Sequence, residues 1–247
     1  MDELAALGAN GFCVVPRVFD VPAIDRMRGT ILANAGIMSN TRPTETARHL
    51  AGFHRFPDLE AIHTALSTDP RLRGVLDRVY RGGQMIALGL SDITINRSQP
   101  WHTDLLRGAY AKHLTPEICW DTAEPPCLKA VAYLQDGTSL HIATGSHRVP
   151  IALSDDRSAV PAADAAIESI AAKAGDVILM DIRTIHRGST EAEMAGKSLG
   201  ADAKILVSTV FGDRYSRLTR AMQTGNAERT VDWDVRHRPV GNAAAAP

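Results

Sequence analysis

Aromatic residues are scarce in this chain, 5% of 247 residues. A broad stacking surface for flat polycyclic ligands is therefore not favoured. Cysteine is scarcer still. Cys13, Cys119 and Cys127 are an odd number and show neither a CxxC nor a zinc-ligand spacing. They read as reduced thiols, and Cys13, inside an apolar stretch, as a small core residue. No apolar run approaches the ~20 residues of a membrane-spanning helix. The opening Met1-Asp-Glu-Leu lacks the basic and apolar regions of a signal peptide, so a cytoplasmic location is expected. Charge is almost balanced, at a formal net −1. That leaves no electrostatic case for nucleic acid or an anionic membrane as partner. A small molecule is the expected partner, and the oligomeric state stays open. No internal repeat is visible.

What is present suits one domain over residues 1–240, followed by a low-complexity tail, 241–247, expected to be disordered. Residues 21–35 carry Ile24, Met27, Ile31 and Leu32 at helical spacing, with Asp20 as cap and Pro22 in the first turn. Residues 59–79 read as one or two helices interrupted at Asp69-Pro70. Between them, 38–56 is polar, with Arg42, Arg48, His49, His54 and Arg55, and reads as a solvated loop or as a lid folding over a site. Residues 85–96, 128–134, 177–182 and 203–211 read as strands. The stretch from Gln223 onward is mostly polar, with Trp233 as its anchor and 232–239 expected to pack back on the domain.

The chemistry is concentrated in Trp101-His102-Thr103-Asp104 and, far downstream, His186. Residues i and i+2 of a strand point to one side, so His102 and Asp104 can reach one ion together. A second imidazole, brought alongside by folding, completes a 2-His-1-carboxylate face. That set leaves the opposite coordination positions open and is the arrangement expected of non-haem Fe(II) oxygenases. His186 follows Gly175-Asp-Val-Ile-Leu-Met-Asp181, a turn and a strand, and is followed by Arg187-Gly188. His141 and His147 are weaker candidates, because six residues with a turn between them do not make a same-strand pair. His49, His54, His63 and His237 read as surface or lid residues.

These segments, in order with Asn10-Gly-Phe-Cys-Val-Val-Pro16, Leu128-Lys-Ala-Val-Ala-Tyr-Leu134 and the turn Thr144-Gly-Ser-His147, resemble the phytanoyl-CoA dioxygenase-like family of Fe(II)/2-oxoglutarate oxygenases. The resemblance runs along nearly the whole chain. It implies a mainly β fold with flanking helices, a double-stranded β-helix or jelly roll whose mouth holds the metal. It implies Fe(II) on His102, Asp104 and His186, with 2-oxoglutarate and O2 as co-substrates. The implied reaction is hydroxylation of an unactivated C–H bond with release of succinate and CO2. Asp104 argues against halogenation, since halogenating relatives lack that carboxylate.

One position departs from the family. The strand after the distal histidine usually carries an arginine that pairs with the far carboxylate of 2-oxoglutarate. Here Lys204 stands at that strand's start, and a lysine supplies a point charge rather than a bidentate fork. Arg107, Arg187 and Asn96 are further candidates for cofactor contact, with Arg183 and Lys197 behind them. Arg107 follows Asp104 so closely that it must lie near the metal, and Tyr110, His113 and Trp120 could line the same pocket. Arg97, Arg107 and the arginines of 38–56 favour an anionic metabolite or natural-product intermediate. The lysine also leaves two rivals standing: a cupin-like metalloenzyme that does not use 2-oxoglutarate, and an inactive binding module of the same fold.

Overall fold

The computed structural model describes residues 2–41, 44–81, 84–152 and 159–237. The tail 241–247 and Arg42 lie outside them, as does the side chain of His237. Ten strands form two antiparallel sheets. They are β1 (Phe12–Val15), β2 (Ser39–Asn40), β3 (Arg48–Ala51), β4 (Met85–Ile95), β5 (Leu128–Tyr133), β6 (Gly137–Ala143), β7 (Ile167–Ala172), β8 (Val177–Asp181), β9 (His186–Arg187) and β10 (Ile205–Asp213). The larger sheet has the order β1-β8-β5-β10-β4-β3-β2, and the smaller β7-β6-β9.

Alternation sorts the two faces of the larger sheet. On β5, Leu128, Ala130 and Ala132 join a core shared with helices, while Val131 and Tyr133 face the other way. On β8, Val177 and Leu179 take the helix side, and Ile178 and Met180 the opposite side. Val131, Tyr133, Ile178 and Met180 pack against Leu140 and Ile142 of β6 and Ile170 of β7, so this second face is the interior between the sheets. Val177–Asp181 is buried throughout, which is why it reads as an unbroken apolar run. Each aliphatic side chain so buried contributes roughly 1.5–3 kcal/mol.

The helix side is built by α1 (Glu3–Asn10), α2 (Val21–Ala33), α3 (Pro57–Thr68) and α4 (Pro70–Val79). The Asp20 carboxylate accepts from Ala23 N at 2.8 Å, capping α2 as expected. The 59–79 segment is two helices: Asp69 ends α3 and its carboxylate accepts from Arg71 N at 2.9 Å to start α4. Helix α1 escaped the sequence reading. Its C-terminal Gly11 adopts φ +86° and leads directly into β1.

One further expectation is corrected. Residues 38–56 do not form a lid; 39–40 and 48–51 are the edge strands β2 and β3, with β3 paired to β4. Strands this short carry no readable alternation. Residues 217–237 form one long helix, α7 (Arg217–His237), which packs back on the domain and covers the interior face of β4 and β10. Leu218 and Met222 of α7 pack there with Leu88 and Leu90 of β4 and Val210 of β10. Two short helices, α5 (Pro116–Cys119) and α6 (Glu191–Met194), complete the fold.

Candidate metal centre and its cavity

Segments 99–104 and 182–189 run antiparallel as a short ladder. Asp104 N donates to Ile182 O at 2.8 Å, His102 N to His186 O at 2.8 Å, and His186 N to His102 O at 2.9 Å. Gln99 N donates to Ser189 O at 3.0 Å, and Gly188 N returns a bond to Gln99 O at 3.0 Å. The distal histidine is held from its other side by the Thr144-Gly-Ser-His147 turn. Ser146 Oγ accepts from Ile185 N at 2.9 Å and donates to Ala143 O at 2.7 Å. His147 of this turn is buried, and His141 of β6 bonds Ser169, its partner across the ladder on β7.

The ladder brings His102, Asp104 and His186 together, with one donor atom from each lying within 4.8 Å of the others. His186 Nε2 is 3.5 Å from Asp104 Oδ2, and His102 Nε2 is 3.9 Å from Asp104 Oδ1. Both histidines use Nδ1 on backbone carbonyls, His102 on Pro100 O at 2.7 Å and His186 on Thr184 O at 2.9 Å. A carbonyl only accepts, so each Nδ1 carries the proton and each Nε2 presents its lone pair. Asp104 Oδ2 is buried with no hydrogen-bond partner. Two oriented imidazole lone pairs and an orphaned carboxylate oxygen are what a divalent ion of the imidazole-and-carboxylate type requires, so the residues fit a metal.

Electrostatics favour the ligating protonation states. Burial, reinforced by the neighbouring His186, drives the His102 pKa down to about 3. Burial likewise lowers that of His186. Burial pushes the Asp104 carboxyl upward, but Lys129 and the two imidazoles outweigh it and hold it at about 2. Lys129 was missed by the sequence reading. It lies on the interior face of β5 with Val131, and its Nζ donates to Asp104 Oδ1 at 2.7 Å. A lone lysine inside the apolar run Leu128–Tyr133 was the available signal.

The three residues border a cavity of about 370 Å³, well within the range of small-molecule sites. Arg97, Arg107 and Tyr110 line it, as anticipated. Arg107 is buried and donates to Thr103 Oγ1. His49, read as a surface or lid residue, lines the cavity too and bonds Asp92 at 3.2 Å. His54 and His63 are half-buried, on Ser91 at 2.7 Å and Thr209 at 3.1 Å, rather than at the surface. His113 and Trp120 do not reach the cavity. His113 bonds Glu228, and Trp120 packs on the core beneath α7.

The candidate cofactor residues separate clearly. Lys204 is buried between the sheets, with Nζ donating to Ser139 Oγ and Ser189 Oγ and lying 5.9 Å from the Tyr133 ring centroid. Among the described residues no carboxylate pairs with it. Burial lowers its pKa to about 8. Neither Lys204 nor Asn96, which has φ +50°, lines the cavity. The Asn96 side chain accepts from Lys204 N at 2.8 Å and donates to Ser198 O at 2.8 Å, so it holds the backbone of Lys204. Arg187 lies over the Trp101 ring at 5.8 Å and also stays outside the cavity. Arg183 is engaged by Asp181, with Nε donating to Oδ1 at 2.9 Å.

No protein-family model and no curated protein matches the chain. Solved structures do match. The epimerase SnoN, in complex with Fe3+, alpha-ketoglutarate and nogalamycin RO, superimposes with a TM-score of 0.64 at 15% identity, over 85% of this chain and 82% of that one. HygX from Streptomyces hygroscopicus, with nickel and 2-oxoglutarate bound, gives 0.58 at 18% identity, over 86% and 87%. EvdO2 from Micromonospora carbonacea var. aurantiaca, complexed with 2-oxoglutarate, gives 0.56 at 14% identity, over 86% and 91%. The phytanoyl-CoA dioxygenase-like family itself is not confirmed. The chain shares its fold with non-haem iron, 2-oxoglutarate-dependent enzymes, and that fold is the expected jelly roll.

Proposed function

We propose that this protein is an Fe(II)/2-oxoglutarate-dependent oxygenase acting on a small natural-product-like molecule, with hydroxylation of an unactivated C–H bond as its reaction. The observation that carries the reading is the donor set itself: His102 and His186 with Nε2 lone pairs fixed by carbonyl bonds at Nδ1, and Asp104 with a buried, unpartnered oxygen. Iron(II) with 2-oxoglutarate would, when bound, activate O2, the oxidant for both C–H hydroxylation and the conversion of 2-oxoglutarate to succinate and CO2.

The chain's own residues do the rest. Lys129 holds Asp104 Oδ1, leaving Oδ2 to face the metal position. Lys204 is a buried cation whose hydrogen-bond partners are both neutral, with Glu193 acting on it only through space, and a buried charge so weakly compensated is costly. A carboxylate arriving between Ser139 and Ser189 would relieve that cost, and this supports Lys204 as the holder of the far carboxylate of 2-oxoglutarate. The rival metalloenzyme without 2-oxoglutarate gives that cation no purpose. The cavity beside the triad holds the substrate and keeps water from the reacting position. A cytoplasmic site of action fits the free, buried cysteines. Among the described residues no helix is long and apolar enough to cross a membrane.

The test is anaerobic titration of the Fe(II)-loaded protein with 2-oxoglutarate, followed by visible absorption. A metal-to-ligand charge-transfer band is expected, and succinate should form once oxygen and a substrate are admitted. Iron bound without such a band would favour the rival.

A further inference from the structure

Helix α7 contributes Arg229, Trp233 and Arg236 to the cavity wall. Their spacing, i, i+4 and i+7, puts all three on one stripe of the helix. The other faces of α7 are tied to the body of the domain. Asp234 pairs with Arg55 at 2.9 Å, and Glu228 with Lys112 at 2.8 Å and His113 at 2.9 Å. The Trp233 ring stands edge-on to Phe56 at 5.9 Å. The stripe is therefore fixed over the site.

Its chemistry is one-sided. Arg229 donates through one terminal nitrogen to Asp92 at 2.7 Å, while its Nε is buried with no hydrogen-bond partner. Across the cavity, Arg97, Arg107 and Lys129 bring the basic side chains to five, against the carboxylates of Asp92 and Asp104. A divalent iron with a dianionic 2-oxoglutarate would add no net charge. The wall stays cationic in the loaded enzyme, and guanidinium forks suit carboxylate or phosphate oxygens.

We infer that the Arg229–Trp233–Arg236 stripe of α7 is the specificity element of this site, and that it takes a substrate bearing a carboxylate or phosphate group, held by Arg229 and Arg236 with Trp233 packed against the adjoining carbon skeleton. This rests on the oxygenase reading for the cavity's use, and it goes beyond that reading in naming the recognised group and the residues that recognise it.

The test uses the protein loaded with nickel(II) and 2-oxoglutarate, with ligand-observed NMR and two matched probe pairs: D-glucuronate beside D-glucose, and benzoate beside benzyl alcohol. Within at least one pair the anion should bind about tenfold or more tighter than its neutral partner, as expected of a charge-assisted contact. That preference should fall below about threefold in Arg229→Gln and in Arg236→Gln. It should survive in Arg220→Gln, an exposed position of the same helix outside the cavity. If Arg229→Gln fails to fold once Asp92 is left with His49 alone, the exposed Arg236 carries the test by itself. Equal binding within both pairs, a preference that survives in the stripe variants, or no anion binding up to about 10 mM would overturn the inference. The charge-transfer band of the unaltered iron protein is read separately, so the oxygenase reading and the anion stripe can fail independently.

Discussion

His102 and His186 exchange both backbone hydrogen bonds, N to O at 2.8 Å and 2.9 Å, although 84 residues separate them in sequence (186 − 102). The frame of the proposed metal site is thus main chain, and the imidazoles hang from it. Replacing a ligand side chain leaves that frame in place. His102→Ala and Asp104→Ala are expected to reduce turnover by at least about 100-fold while the circular dichroism spectrum stays that of the parent. Parent-like rates in either variant would remove the triad from the mechanism.

Lys129 and Asp104 form a largely buried pair, at 2.7 Å. Removing one member strands the other charge, which typically costs 3–5 kcal/mol when the pair is deeply buried; with both side chains partly accessible, roughly 2–3 kcal/mol is expected. Lys129→Met should therefore melt at lower temperature without metal. A divalent ion would then become the chief counterion of Asp104, so added nickel(II) should raise the melting temperature more in the variant than in the parent. An equal metal-induced shift in both proteins would mean that Lys129 does not act through Asp104.

The legibility of this site follows from how each part is held. His102 and Asp104 are two residues apart, and His186 sits at the exit of a fully apolar strand after a Gly-Asp turn, so spacing and periodicity expose them. Gly175 has φ +90°, with the Phe19 carbonyl only 2.2 Å from where a Cβ would stand, so the turn demands glycine and marks itself. Helix α7 was hidden for the opposite reason. Leu218 and Met222 anchor its first turns in the core, but its later turns are held by ion pairs and one aromatic contact, so no apolar stripe runs its 21 residues. The same holds for β2 and β3, two and four residues long, which borrow their order from β4. Asn96 showed itself as a polar residue at a strand end, but its partners, Ser198 and the Lys204 main chain, are about a hundred residues away and visible only in three dimensions.

Cys13, Cys119 and Cys127 are all free and buried, and burial pushes each thiol to about 12. The thiolate is the reactive form, so at neutral pH the folded protein should resist disulfide-exchange reagents. A chromogenic disulfide reagent is expected to detect no thiol within minutes in buffer and all three in denaturant. Rapid labelling of the native protein would show that one of these packed regions opens readily.

Lys204 gives a pH dependence whose sign is determined by its burial. Its pKa is lowered to about 8, so the free protein carries the ammonium below that pH and loses it as the pH rises through it. A bound 2-oxoglutarate carboxylate stabilises the ammonium and raises its pKa in the complex. Between the two values, binding takes up a proton, and the Kd for 2-oxoglutarate should rise about tenfold per pH unit. Below about pH 8 the Kd should be flat with respect to this group. Lys204→Arg keeps its charge throughout this range and should lose the alkaline rise, whatever its affinity. Lys204→Met should raise the Kd at least about tenfold at neutral pH and also abolish the rise. Arg183 is engaged by Asp181, and Arg187 lies over the Trp101 ring. A parent-like Kd in Lys204→Met would therefore move the role to Arg107, the remaining basic candidate that lines the cavity.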